Sequence, residues 1–298
     1  MIEVVQPGLL TTIQDSGRKG FEAYGVPVSG PFDPFLAALA NRLCGNDLNA
    51  PVLEFAMVGP TLQFHEKGRV ALCGFGIQYE LNDRIVPELM TIELPAGSIL
   101  KFVGMQGWFG YISFAGGIET QAGEKVLSSV STYLAGGIGR RLEKGQMLRN
   151  GPEPAGVSGL RSVSWSFPQE PVLYLLPAQH TSRFSNIECQ KICEHSYKIS
   201  LQSNRMGIRM DGPVIDAPVI RRSAPALPGT VEIARSGLPI ILGPEGPTTG
   251  GYAQVGVISR TSWTVLAGSK PGSKLRFQWT DPQMARATWD YRQGLLRV

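Results

Sequence analysis

The sequence predicts a mainly β protein with a few short helices, divided into two halves of similar build. The first observation behind this prediction is the composition: 36 glycines and 22 prolines accompany a hydrophobic content of 43% and a charged content of 17%. Such a chain is globular rather than disordered, and its many turn-forming residues favour short strands. Its 298 residues fit two domains of ordinary size.

The second observation is a set of short runs rich in β-branched or aromatic residues. Most of them are bounded by glycine or proline, which is typical of strands joined by tight turns. The predicted strands cover residues 61–64, 70–73, 99–102, 111–114, 172–176, 240–242, 255–258 and 275–279.

The third observation is a weak internal repeat. Residues 57–62 (MVGPTL) match residues 210–215 (MDGPVI), and residues 97–102 (GSILKF) match residues 272–277 (GSKLRF). The two matches occur in the same order in each half, so they predict two similar β-rich domains. Glycine, proline and serine cluster at residues 150–159, as in an exposed linker. We therefore expect one domain at residues 1–154 and a second at residues 155–298.

Two segments carry the signals of helix starts. Asp33-Pro34 and Asp281-Pro282 each place an N-cap acid before a proline at the first helical position. Apolar residues at helical spacing follow Asp33, and Gly45 supplies the C-terminal stop.

Composition and motifs exclude several classes of function. The net charge of +4 is mild for this length, and no basic stripe interleaves with aromatic residues, which argues against nucleic-acid binding. Cys189, Cys193 and His195 resemble a metal-ligand cluster but lack a fourth ligand, so no metal site is predicted. The N-terminus shows no signal peptide, and no apolar run is long enough to cross a membrane, so we expect a cytoplasmic protein.

Three carboxylates are candidate catalytic residues. Asp15 lies in a glycine-rich loop, whereas Glu54 and Glu232 lie inside apolar strands. A buried acid is costly unless it is paired, so Glu54 and Glu232 are either partnered or functional, although an outward-facing strand position would explain either one. Arg205 and Arg209 are the natural anion-binding partners.

Two glycine-rich polar segments are candidate binding loops. The first spans residues 14–18 and 25–30, and the second spans residues 247–252. Paired glycines allow another group to approach the backbone closely, although two separate surface turns would give the same pattern. We expect the two segments to meet at one cleft. Gln179 follows the end of a predicted strand, and the sequence is equally consistent with a position in a pocket and with a position in a surface turn. The candidate substrate-binding side chains and glycines here are Gln14, Arg18, Ser29, Gln179, Thr248, Thr249, Gly250, Gly251 and Tyr252.

Taken together, these segments resemble the biotin-dependent carboxyltransferase family, also called allophanate hydrolase subunit 2, which includes the C subunit of 5-oxoprolinase and the antagonist of the Kip kinase inhibitor. The matching residues span nearly the whole chain: 12–18, 25–30, 40–46, 59–62, 115–118, 131–133, 204–207, 212–213, 237–240 and 248–252. The resemblance implies two cyclophilin-like β-barrel domains. It adds Thr132 and Tyr133 to the substrate-binding residues.

The resemblance also implies a function and partners. Members work with the Kip inhibitor-like B subunit, and in bacterial 5-oxoprolinase with the A subunit too, to hydrolyse the cyclic amide 5-oxoproline at the expense of ATP. A non-catalytic antagonist of an inhibitor that resembles the B subunit, or a biotin-using component that carboxylates urea, are the alternatives. Several polar positions depart from the family pattern. Glu245 replaces an aspartate, Glu232 replaces a glutamine, and an arginine is missing before residues 131–133. The fold and the assembly with partner subunits survive such changes more easily than specificity for a particular substrate does.

Overall fold

The computed structural model describes residues 1–119, 141–153 and 161–297. In this part of the chain strands predominate, which confirms the mainly β prediction. Thr132 and Tyr133 lie outside the described residues, as does most of the segment that the sequence suggests as a linker. The division at residues 154 and 155 therefore stays a prediction.

Two antiparallel sheets make up the N-terminal half. The first has five strands in the order β2 (Leu10–Gln14), β3 (Val52–Ala56), β10 (Phe109–Phe114), β5 (Gly68–Gly74) and β8 (Thr91–Leu94). The second has six strands in the order β11 (Met147–Leu148), β1 (Ile2–Gln6), β4 (Thr61–Phe64), β9 (Ile99–Gly104), β6 (Gln78–Leu81) and β7 (Arg84–Val86). One hydrophobic cluster draws on both sheets, so they pack face to face.

Helix α1 (Pro34–Cys44) covers the other face of the five-stranded sheet. Its N-cap is Asp33, whose carboxylate accepts a hydrogen bond from the backbone N–H of Phe35 at 2.9 Å. Gly45 ends the helix in the left-handed conformation, with φ of 76°. Because the sheet is covered on both sides, strands β3 and β10 are buried at every position. This arrangement places Glu54 of β3 in the protein interior.

A closed seven-stranded barrel forms the C-terminal half. Its order is β12 (Val172–Pro177), β19 (Ala253–Ile258), β16 (Thr230–Ile233), β17 (Pro239–Leu242), β14 (Gly207–Asp211), β13 (Ser196–Ile199) and β20 (Lys274–Trp279). The pairing of β12 with β20 is parallel and closes the barrel, whereas the other pairings are antiparallel. A short ribbon of β15 (Ala224–Pro225) and β18 (Thr249–Gly250) pairs separately from the barrel strands.

Three further helices lie in the C-terminal half. Helix α4 (Pro282–Leu295) has Asp281 as its N-cap, as predicted. Helices α2 (Asn186–Glu194) and α3 (Ser262–Ala267) were not predicted: α2 buries only Ile192, so its apolar stripe is weak, and α3 is six residues long. Cys189 and Cys193 lie on α2. No cluster of three or more metal-ligating side chains occurs among the described residues.

The two halves share one continuous hydrophobic core. The cluster that contains α1 also contains residues of the barrel and of α3. At the junction Trp263 of α3 meets the ring of Phe32 edge-on at 5.3 Å. The Arg292 guanidinium of α4 donates to the Thr264 hydroxyl at 2.6 Å and lies 5.4 Å from the centre of the Phe35 ring. These contacts hold the halves in one arrangement and create the buried boundary where charged residues meet.

None of the helices in the described ranges has the length and apolar character needed to cross a membrane.

Candidate functional site

Arg205 lies at the boundary between the two halves and is 3% exposed. It precedes β14 of the barrel, and its side chain reaches two carboxylates. Nε donates to Glu245 at 2.8 Å, and Nη1 donates to Glu54 of the N-terminal half. Nη2 donates to the backbone carbonyl of Gly30 at 2.6 Å and lies 3.5 Å from the Ser29 hydroxyl. The three guanidinium nitrogens therefore all bond to protein groups and link the two halves.

Glu54 is the N-terminal half's contribution to this ion pair and is 2% exposed. Its carboxylate also accepts the backbone N–H of Phe32 at 2.5 Å and the hydroxyl of Tyr111. Burial raises the pKa of Glu54, and the positive charge of Arg205 opposes that rise. The sequence analysis expected Glu54, if buried, to be either partnered or functional, and the structure shows that it is partnered. Its predicted catalytic role stays a prediction.

The first glycine-rich segment folds against the same cluster. The backbone N–H of Gly17 donates to the Asp15 carboxylate at 2.9 Å, and that of Arg18 donates to the Val28 carbonyl at 2.7 Å. Gly17 has φ of 78°, and a Cβ there would lie 2.5 Å from the Val28 oxygen, so the turn requires glycine. Arg18 is 1% exposed; burial lowers its pKa, and the charges of Glu245 and Asp15 raise it.

One backbone hydrogen bond joins the first predicted loop to the segment that precedes the second. The N–H of Ser29 donates to the carbonyl of Pro244 at 2.9 Å. Pro244 directly precedes Glu245, which follows β17 and is fully buried. We call the set Asp15, Arg18, Ser29, Glu54, Arg205 and Glu245 the Arg205 cluster.

A second polar group lies at the ribbon of β15 and β18. Glu232 of β16 is 4% exposed and stands opposite Gln254 of β19 in the strand register. Gln254 donates from Nε2 to the Pro225 carbonyl at 2.9 Å and from its backbone N–H to Nδ1 of His180 at 3.3 Å. A Cβ at Gly250 would lie 2.0 Å from Oε1 of Glu232, so the bare glycine lets the ribbon lie against the carboxyl. We call Glu232, Gln254 and His180 the Glu232 group.

The remaining predicted site residues lie nearer the surface, apart from Gln14. Gln14 is buried and donates to the Thr12 hydroxyl at 2.9 Å. Gln179, Arg209, Thr249, Gly251 and Tyr252 are exposed, while Thr248 and Gly250 are half-buried. Substrate-binding roles for all of them stay predictions, as does a single cleft shared by Asp15 and Thr249.

Sequence reasoning missed two members of these groups. Gln254 is not among the predicted residues, although a glutamine inside the apolar run of β19 is a signal of the same kind as Glu232. His180 directly follows Gln179, at the strand end where the sequence allows a pocket position and a surface turn equally, and the structure places it in the interior at 4% exposure. Burial lowers the pKa of His180, with a further lowering from Arg183.

Comparison with known proteins supports the family resemblance. The family model described as "Carboxyltransferase domain, subdomain A and B" matches residues 24–279. The C subunit of 5-oxoprolinase from Escherichia coli (strain K12) is 32% identical over 289 residues, which cover 93% of this chain and 90% of that protein.

Solved structures show the same fold. The urea carboxylase of Kluyveromyces lactis superposes with a TM-score of 0.86 at 26% identity and covers 99% of this chain, which spans 29% of that longer chain. A further solved chain superposes with a TM-score of 0.83 at 28% identity, and this chain spans 55% of its length. The matched residues, the identity and the fold agree, and the chain belongs to the carboxyltransferase domain family, subdomain A and B.

Proposed function

We propose that this chain is the C subunit of a 5-oxoprolinase-type amide hydrolase, acting in the cytoplasm in complex with the B and A subunits of that enzyme. One observation carries the proposal: the alignment with the E. coli protein covers 93% of this chain and 90% of that protein. The fungal urea carboxylase, in contrast, is matched over only 29% of its chain.

The reaction must activate a lactam carbonyl, which is a poor electrophile. In the proposed sequence ATP transfers its terminal phosphoryl group to the lactam oxygen and leaves as ADP. Water then adds to the carbon, the ring C–N bond breaks, and the nitrogen takes a proton. A second water releases phosphate from the resulting acyl phosphate, giving glutamate. Each turnover therefore consumes one ATP and two waters.

The described side chains suggest a division of these tasks. We assign the orientation of water to Asp15 and that of the substrate to Glu232. Glu54 bonds to Arg205, Phe32 and Tyr111 and receives neither task. A phosphate-binding role for Arg205 would require it to exchange its present carboxylate partners. We assign phosphate binding to Arg18, a buried positive charge on the segment that also carries Asp15.

The sequence contains no P-loop or other nucleotide motif, so ATP binding falls largely to the partner subunits. We therefore expect the purified chain alone to show little or no hydrolysis of 5-oxoproline. Robust turnover by the isolated chain would contradict this expectation.

A second candidate function is carboxyl transfer from biotin to urea. The observation that favours it is the TM-score of 0.86 with the urea carboxylase of K. lactis. Biotin would be a cofactor only in this case, carried by another domain or another protein of the complex.

Co-expression with the genes for the A and B subunits of the same organism tests the proposal. The purified complex is incubated with 5-oxoproline and ATP, and glutamate and ADP are measured together. Equal amounts of both products, dependent on all three proteins, are the expected result. A complex that forms but hydrolyses nothing would support the antagonist alternative. Transfer of labelled bicarbonate to urea, when a biotin carboxylase is supplied, would support the carboxyltransferase.

A further inference from the structure

Glu232 is a buried carboxyl with an unused oxygen. The residue is 4% exposed, and its Oε1 atom has no hydrogen-bond partner among the described residues. Leaving a buried polar atom without a partner is unfavourable by about 1–3 kcal/mol. Such an atom is retained most readily where a ligand supplies the missing partner.

The surroundings of this carboxyl are polar but uncharged. The strands and ribbon around it, Pro239–Leu242, Ala253–Ile258, Ala224–Pro225 and Thr249–Gly250, carry no charged side chain. The titratable group next to Gln254 is His180, whose pKa is lowered by burial, so it is neutral at pH 7. Burial raises the pKa of Glu232, and a hydrogen bond from Gln254 only partly opposes the rise. In the Arg205 cluster a positive charge opposes the corresponding rise at Glu54, whereas no charged group is among the causes at Glu232.

A neutral carboxyl has a definite preference among amides. It presents one O–H donor and one C=O acceptor side by side. A lactam ring holds its amide cis, so its C=O and N–H point the same way and match that pair with two hydrogen bonds. Urea presents the same C=O and N–H edge, and in addition a pair of N–H donors that matches an ionised carboxylate.

We propose that Glu232, beneath the ribbon of Thr249 and Gly250, recognises the lactam group of the substrate by a two-point hydrogen-bond pair. The inference rests on the proposed function and deepens it. It assigns Glu232 to recognition and leaves the orientation of water to Asp15.

The ribbon controls access to this carboxyl. Gly250 lies directly against Oε1, while Thr249 and Gly251 lie at the surface. The ribbon is held by two residue pairs, Ala224 with Gly250 and Pro225 with Thr249, and by a hydrogen bond from the Ala226 N–H to the Thr248 carbonyl at 2.9 Å. Binding of a ligand at Oε1 would therefore require the ribbon to move away from the carboxyl.

The test uses the assembled complex without ATP and measures binding of 5-oxoproline and 2-pyrrolidinone by equilibrium dialysis. Glu232→Gln keeps one donor and one acceptor, so lactam affinity should stay within about 3-fold of wild type at low pH. Glu232→Leu has neither and should lose about 10-fold or more, the factor that corresponds to one net hydrogen bond. Glu93→Leu removes an exposed strand carboxylate elsewhere and serves as the matched control.

The pH dependence gives a second readout that does not depend on the leucine variant folding. Lactam affinity of the wild type should fall as pH rises through the raised pKa of Glu232, because ionisation removes the O–H donor. The glutamine variant should show no such fall. A catalytic base at Glu232 would give a different pattern, in which Glu232→Gln abolishes kcat.

The outcomes separate this inference from the proposed function. If the wild-type complex hydrolyses 5-oxoproline but Glu232→Leu binds it with unchanged affinity, the inference is overturned and the function stands. If no hydrolysis occurs but 2-pyrrolidinone binding depends on Glu232, the function is overturned and the inference stands. If lactam binding is undetectable in every variant, the inference is overturned.

Discussion

Replacing Arg205 by leucine tests whether the Arg205 cluster is a structural link between the halves. The substitution keeps an apolar stem but removes the charge that two buried carboxylates face. Glu54 is 2% exposed and Glu245 is 0% exposed, so neither can turn to water without disturbing the core. Glu54 would then lose its cation, and Glu245 would keep only the charge of Arg18.

The magnitude follows from the geometry. At 2.8 Å and an effective dielectric constant of about 20, the Arg205–Glu245 pair alone has a gross Coulomb attraction of about 6 kcal/mol. Desolvation of the three groups offsets much of this attraction in the wild type. Removing one member of a buried pair leaves that desolvation uncompensated and typically destabilises by about 3–5 kcal/mol. We expect a loss of that size in the free energy of unfolding at neutral pH.

The loss should depend on pH. The pKa of Glu54 is already raised above its ordinary value of 4.5 by burial, and removal of Arg205 raises it further. A folded state with a raised acid pKa binds more protons than the unfolded state, so its stability falls as pH rises through that window. The deficit of Arg205→Leu should therefore be smaller near pH 5 than near pH 8.

Urea denaturation followed by tryptophan fluorescence measures both effects. Arg286→Leu is the matched control, because Arg286 pairs with Asp290 at 3.2 Å on an exposed helix face, with 79% and 52% of the side chains accessible. Such a pair contributes about 0.3–0.5 kcal/mol. If Arg205→Leu destabilises no more than Arg286→Leu, or equally at both pH values, the structural role is refuted.

Two further substitutions test local features. Gly250→Val places a Cβ 2.0 Å from Oε1 of Glu232. Turnover of 5-oxoproline by the complex should therefore fall about 10-fold or more, with a small change in the melting temperature. Gly68→Val is the control, because no atom lies within 4 Å of its Cβ, and it should leave turnover unchanged. Asp281→Ala removes the acceptor of two backbone N–H groups at 2.9 and 2.8 Å and should lower the free energy of unfolding by about 1 kcal/mol, an effect that Asp281→Asn should largely rescue.

Local signals made part of the fold predictable. An aspartate followed by proline locates the starts of α1 and α4, because a helix cap is formed by neighbours in sequence. The strand pattern also succeeded, since short apolar runs between turns require no knowledge of the partner strand. Helix α3 escaped prediction because six residues are too few for a periodic apolar stripe.

The site was only partly predictable, because its bonds join distant residues. The sequence shows that Glu54 needs a partner and that Arg205 is a candidate, but the two are 151 positions apart. Nothing local indicates that Glu245 completes the pair, or that Gly250 lies against Glu232. Those contacts follow from barrel closure and from the packing of one half on the other, which are properties of the assembled chain.

The two polar groups differ in how their buried carboxylates are satisfied, and this difference separates stability from binding. In the Arg205 cluster the protein itself supplies the counter-charge, so removing that charge changes the free energy of unfolding. In the Glu232 group the surroundings are neutral and one carboxyl oxygen has no partner among the described residues. A buried polar atom that the protein leaves without a partner reduces stability, and a ligand that bonds to it compensates this cost. Replacing Glu232 by an apolar residue should therefore weaken binding without a comparable loss of stability, which is the opposite of the result expected at Arg205.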